Sequence, residues 1–446
     1  MAEPTTTHYE DVQALLSRGR RRTMALLWIT YAAFYLCRVN LAAAQKSLAA
    51  DLKLSEGRLG GLIAALKVLY AGGQLANGLL ADRLGPRVLI STGLACSAVL
   101  NLVFSRLRDY RAMLLTWGLN GYFQSAGWTP TVRTIANWYP ARLREGASGW
   151  IGTSYILGSG VSWLLAGRLT DALGWRAAFW VPALICLLLA AVQFLALKDD
   201  PRKLGLPGAE DEREPVANAA APAAGGCPAP GSGRLLSPRL LMLGAANMVF
   251  AFGYHGVLDW TPHYLAQAGS LSAGAAATKA AIMPVGGVLG CLALAFLARR
   301  RKEGLGPAAV LVPLLLVAAL TALFPGLVRH APGAVTAALV AIGGLTSGPA
   351  TLVACAMAAD CGGTAAAGAA AGIVDAMGYA GSATSGLVSG KLIAAIDGSG
   401  DGWHLVWRIW AAGMALGGIM VSCSERASRQ GPGKTTERGD RPCPDE

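Results

Sequence analysis

MALLWITYAAFYLCRVNLAAAQ, Met24 to Gln45, is 22 residues long and holds one charged side chain, Arg38. A helix needs roughly 20 mostly apolar residues to cross a hydrocarbon core of about 30 Å. Eleven further runs of this kind follow, at about 58–81, 88–105, 111–133, 147–170, 176–197, 238–264, 274–298, 307–328, 333–357, 367–394 and 403–422. None alternates apolar with polar residues, as a lipid-facing barrel strand would. The runs are therefore read as helices that satisfy their own backbone hydrogen bonds inside the bilayer. Composition agrees: 54% of the 446 residues are hydrophobic and 14% charged, against about a quarter charged in soluble domains. The 57 glycines suit close helix packing in lipid. This patterning excludes a soluble enzyme and predicts an all-α membrane protein of twelve transmembrane helices.

Basic residues set the expected orientation. Arg18, Arg20, Arg21 and Arg22 precede the first run, and Arg83, Arg87, Arg142, Arg144, Lys198, Arg202 and Lys203 fall in even-numbered connections or the central loop. Arg299, Arg300, Arg301 and Lys302 follow the eighth run, and more basic residues lie in the tail. This bias predicts that both termini are cytoplasmic. It also accounts for most of the +12 net charge, and no basic stripe with interleaved aromatics points to nucleic acid. The first 23 residues are polar and hold no cleavable signal peptide. The nine cysteines show no metal-site or redox spacing, and no cofactor or metal is expected.

Residues 198–237 break the apolar pattern with Glu210-Asp211-Glu212-Arg213-Glu214 and a run rich in Ala, Pro and Gly. Such a segment reads as a flexible cytoplasmic linker. It separates a six-helix half, 24–197, from a second, 238–422, with a cytoplasmic N-terminal segment at 1–23 and a tail at 423–446. In the tail, Gly431-Pro-Gly-Lys-Thr-Thr436 lacks the first glycine, the strand and the helix of a phosphate loop.

Charged residues inside spans cost about 2.5–3.5 kcal/mol at the helix centre on insertion scales and call for a reason. Arg38 is the clearest. Tyr31 and Tyr35 precede it by seven and three residues, spacings that share one helical face. A guanidinium on a stripe with phenols suits a phosphate or carboxylate, because Arg can fork two hydrogen bonds to it.

The stretch GLLADRLGPR, Gly78 to Arg87, resembles the cytoplasmic signature of the major facilitator superfamily through Gly78, Asp82, Arg83, Gly85 and Arg87. Two six-helix pseudo-symmetric halves with a midplane site are the layout of that fold. YAAFYLCRVN (Tyr31 to Asn40) and WGLNGYFQSAGWTPTVRTIANWYPARLREG (Trp117 to Gly146) resemble spans one and four of its organophosphate:phosphate antiporter family. The resemblance implies exchange of an organophosphate, such as a sugar phosphate or glycerol phosphate, for inorganic phosphate by rocking of the halves. It implies that Arg38 binds phosphate and that Tyr31, Tyr35, Tyr70 and Tyr379 line the pocket. Four positions depart from the family: Tyr254 replaces a second phosphate arginine, Gln74 a lysine, Ser154 a histidine and Ser347 a tyrosine.

Lys67 lies three residues before Tyr70 and seven before Gln74, and is expected to resupply the missing positive charge. His255 lies four residues from Asp259, which predicts a local His–Asp pair. Asp375 in span eleven either neutralises a basic residue or carries a proton. Two further readings therefore stand beside exchange: a proton-coupled organic anion symporter using Asp375, and a sugar-phosphate sensor built on the transport fold. The expected partners are a small anionic substrate and the lipid bilayer, with a monomer as the family expectation. The Ala-, Gly- and Arg-rich composition points to a bacterial inner membrane.

Overall fold

The computed structural model describes residues 6–208, 237–300, 308–396 and 402–430. Each apolar run of the sequence falls on a helix. In the first half the spans are Thr6–Leu36 with Asn40–Leu52, Glu56–Leu84, Pro86–Phe104, Tyr110–Gln124 with Trp128–Trp138, Ala141–Leu173, and Ala177–Ala196. In the second they are Pro238–Ala268, Ala273–Ala280 with Ile282–Arg300, Ala308–His330, Val335–Thr351, Ala358–Ile396 and Gly402–Gln430. No strand occurs among the described residues.

Local sequence explains the helix boundaries. Ser55, Asp109, Ser237 and Ser272 cap the helices that follow them by accepting backbone N–H bonds from Arg58, Ala112, Leu240 and Ala275. Gly85 ends span two at φ +78°, a conformation that favours glycine. Pro86 then opens span three at its first turn, where a missing N–H costs nothing. The first helix starts at Thr6, so most of the polar segment before Met24 is helical and continuous with span one.

Eight helical segments among the described residues are long and apolar enough by composition to cross a membrane. Spans two, four, five and eleven fall short of that measure. Span four is broken into helices of 15 and 11 residues. Position explains the other three: span two packs on span eleven, and span five on span eight, where the halves meet. Helices facing protein on several sides need small and polar residues more than leucine.

The halves touch closely at the end of the bundle opposite the start of the first helix. There a Cβ on Gly60 would lie 2.2 Å from the Gly386 carbonyl oxygen, and one on Gly390 2.4 Å from that of Glu56. Glu56 pairs with His263 at 2.9 Å, Lys46 donates to the Ala266 carbonyl, and the Asp171 carboxylate accepts from the Ser272 hydroxyl and the Gly274 N–H. This end is closed by backbone contact and by polar bonds between the halves.

The expected linker begins in ordered structure. Asn137 and Trp138 donate to the carbonyls of Asp199 and Lys198, and Lys203 pairs with Asp199 at 2.7 Å. Residues 209–236, which carry the acidic and Pro-rich stretch, lie outside the described residues, as does the 431–446 tail.

Candidate substrate site

Span one is interrupted at Cys37–Val39, between Leu36 and Asn40, and Arg38 sits in that gap. A broken helix frees carbonyls that lipid cannot satisfy, so neighbouring side chains must supply donors. They do: Asn101 and Asn120 both donate to the Cys37 carbonyl, at 3.1 and 2.8 Å, and Gln124 donates to that of Phe34 at 3.0 Å. Ser97 ties Asn120 and Gln124 together at 2.6 and 2.7 Å. Span four is itself broken at 125–127, just beyond Gln124.

The same network aims the guanidinium. Arg38 Nε donates to Gln124 Oε1 at 2.9 Å, Nη2 to the Gln124 carbonyl at 3.2 Å, and Nη1 to the Tyr35 hydroxyl at 3.1 Å. Its carbon lies 4.5 Å from the Tyr35 ring centroid and 4.7 Å from that of Tyr70, within cation–π range. Among the described residues no carboxylate forms an ion pair with Arg38. The face predicted from spacing thus survives the break. Tyr31 is buried one turn away, against Tyr35 and Trp128.

The second half closes over this group through aromatics. Tyr379 packs on Tyr70 at 4.4 Å between centroids and faces His255 at 6.2 Å. Tyr254 stacks on Phe250 at 5.6 Å, and its hydroxyl meets Ser347. Asp375 lies one turn before Tyr379, beside the Gln74 amide and in the field of Arg38.

Three expectations need correction. Lys67 does not present a free ammonium: it is buried, pairs with Asp259 at 3.0 Å, meets His255 Nδ1 at 3.1 Å and donates to Ser382 at 2.7 Å. His255 and Asp259 accordingly meet through Lys67 instead of pairing with each other, because the lysine reaches both from the opposite half. Ser154 is fully buried with its hydroxyl on the Ile151 carbonyl at 2.6 Å; its neighbour Tyr155 faces the site, stacked on Tyr35 at 6.1 Å. Sequence reading also missed Gln124, although it lies within the span-four stretch that carries the resemblance.

In the signature loop, Arg87 donates to the Phe194 carbonyl and lies over its ring at 4.6 Å, while Arg83 is exposed and Gly85 makes the turn. The side chains at Gly78 and Asp82 lie outside the described residues.

A profile described as Major Facilitator Superfamily matches residues 27–341. The chain belongs to this superfamily. It is an integral, multi-pass membrane transport protein, not an enzyme. It is 28% identical to a probable hexose phosphate transport protein of Chlamydia muridarum, covering 86% of each chain. It is 27% identical to the glycerol-3-phosphate transporter of Bacillus subtilis, over 87% of this chain and 89% of that one. It is 26% identical to the membrane sensor protein UhpC of Salmonella typhimurium, over 93% and 92%. These relatives bear out the resemblance to the organophosphate:phosphate antiporter family. A solved bacterial homologue of the human lysosomal transporter Spinster shares the fold, with a TM-score of 0.69 at 15% identity over 92% of this chain and 97% of that one.

Proposed function

We propose that this superfamily member carries an organophosphate across a bacterial inner membrane in exchange for inorganic phosphate, by alternating access and as a monomer with both termini cytoplasmic. The observation that carries the reading is the Arg38 guanidinium, held by Gln124 and Tyr35 between two aromatic rings with no described carboxylate paired to it. Such a group is a ready partner for a phosphate, whose oxygens match the guanidinium fork. The relatives that transport hexose phosphate and glycerol 3-phosphate support the substrate class. Closure at one end, through Gly60 against Gly386 and Glu56 against His263, supports rocking of two halves about a central site.

Counterflow in proteoliposomes loaded with inorganic phosphate tests this. Labelled phosphate enters with the native chain and not with Arg38→Ala. Equal uptake by the variant overturns the anion-site assignment. The likeness to a membrane sensor favours a second reading, in which ligand binding is kept without net movement. It is distinguished by phosphate binding that depends on Arg38 in protein that supports no counterflow.

A further inference from the structure

The central site holds two opposite charges that do not cancel by contact. Arg38 comes from the first half and Asp375 from the second. Asp375 lies one helical turn before Tyr379 and within the electrostatic reach of Arg38, yet no ion pair joins it to any cation among the described residues. The polar side chain beside it is the neutral amide of Gln74. Aromatic rings run from one charge toward the other: Tyr70 carries Arg38 at 4.7 Å, and Tyr379, one helical turn from Asp375, packs on Tyr70 at 4.4 Å.

The other charges nearby are already committed. Lys67 is engaged by Asp259, His255 and Ser382. Tyr254 and Gln74 are uncharged, so neither adds to Arg38. The site therefore offers one cation and one anion beside aromatic faces. A dianion with no positive charge of its own would use the guanidinium and leave the carboxylate unpaired in a low-dielectric cavity, where charges interact strongly. A ligand with an anionic group at one end and an ammonium at the other would satisfy both.

We propose that the substrate is zwitterionic: a small organophosphate bearing an amino group, with its phosphate on Arg38, Gln124 and Tyr35 and its ammonium on Asp375. The face of Tyr379 completes the ammonium end, since aromatic faces attract cations. This rests on the reading that Arg38 takes a phosphate.

The experiment compares three probes in reconstituted protein: aminoethyl phosphate, glycerol 3-phosphate and inorganic phosphate. Each competes against labelled phosphate in counterflow and is measured separately by its thermal stabilisation of detergent-solubilised protein. Aminoethyl phosphate is expected to compete at least tenfold better than glycerol 3-phosphate. Asp375→Asn removes that preference, and Asp375→Glu keeps most of it. Thermal stabilisation by inorganic phosphate in each variant shows that the protein is folded and its Arg38 end intact. Glycerol 3-phosphate competing as well as aminoethyl phosphate overturns the zwitterion proposal and leaves organophosphate exchange standing. A preference unchanged by Asp375→Asn overturns the assignment of Asp375. If no phosphate-bearing probe competes or stabilises, both the exchange reading and this proposal fall together.

Discussion

Gln124 holds both the backbone break at Arg38 and the guanidinium that the break presents. Its Nε2 donates to the Phe34 carbonyl at 3.0 Å while its Oε1 accepts from Arg38 Nε at 2.9 Å. One neutral side chain thus satisfies a freed carbonyl and orients the candidate phosphate ligand. Gln124→Leu removes both bonds. Leaving a buried polar group unpaired costs about 1–3 kcal/mol, so thermal stability falls. Phosphate affinity is expected to fall about tenfold or more as Arg38 loses its aim. Gln124→Glu is expected to abolish phosphate counterflow outright, because a carboxylate at this place pairs with Arg38 and competes with the substrate. Unaltered counterflow in Gln124→Glu contradicts this arrangement.

The Lys67–Asp259 pair joins the two halves across the cavity. Removing one partner of a buried ion pair typically costs about 3–5 kcal/mol, but the two ends are unequal here. Lys67 keeps His255 and Ser382 when Asp259 is replaced, whereas Asp259 loses its ion-pair partner when Lys67 is replaced. Lys67→Met is therefore expected to destabilise the protein more than Asp259→Asn. The double variant Lys67→Met/Asp259→Leu should recover much of the loss. Thermal unfolding in detergent gives the cycle, and additive single effects refute a direct coupling.

Much of the fold was legible because spanning a bilayer imposes long apolar runs, and each run lies on a helix. Arg38 and Tyr35 were legible because they are neighbours on one helical face. The break beside them was not: FYLCRVN contains no Pro or Gly to announce it, and it persists through amides from Asn101, Asn120 and Gln124 on other helices. The engagement of Lys67 was hidden for a related reason. Local spacing placed it beside Tyr70, but its partners belong to the other half, and only the way the halves meet brings them within reach. Ser154 and Tyr155 show the limit of position-by-position transfer: the family position turns into the core, and its neighbour faces the site.

Closure at the end opposite the first helix depends on glycine. A methyl at Gly60 would lie 2.2 Å from the Gly386 carbonyl oxygen, and backbone cannot yield as a flexible side chain can. Gly60→Ala is expected to hold that end apart. Gln45→Cys reports on it, because Gln45 is buried and donates to the Asp259 carbonyl across the halves. A membrane-impermeant maleimide should label this cysteine faster in the Gly60→Ala background. Gly72→Ala is the control, since a Cβ there meets nothing within 4 Å. Equal labelling in all three backgrounds rules out closure at Gly60.

Tyr254 occupies the position at which the resembling family carries a second phosphate arginine, and the structure places it on Phe250 with its hydroxyl at Ser347. Its replacement by arginine tests whether charge deficit or pocket shape limits phosphate binding. A second guanidinium adds most where the ligand carries two charges, so Tyr254→Arg is expected to tighten inorganic phosphate about tenfold above neutral pH and less below it. The same change should weaken any preference for an amino-bearing phosphate, because the added cation repels the ammonium that Asp375 attracts. Competition against labelled phosphate at pH 6 and pH 8 reads both effects. A variant that stays folded, yet binds phosphate no better at pH 8, points to shape: the ring of Tyr254 would then be filling space that the family's larger substrates need, and the missing charge would not be what sets selectivity.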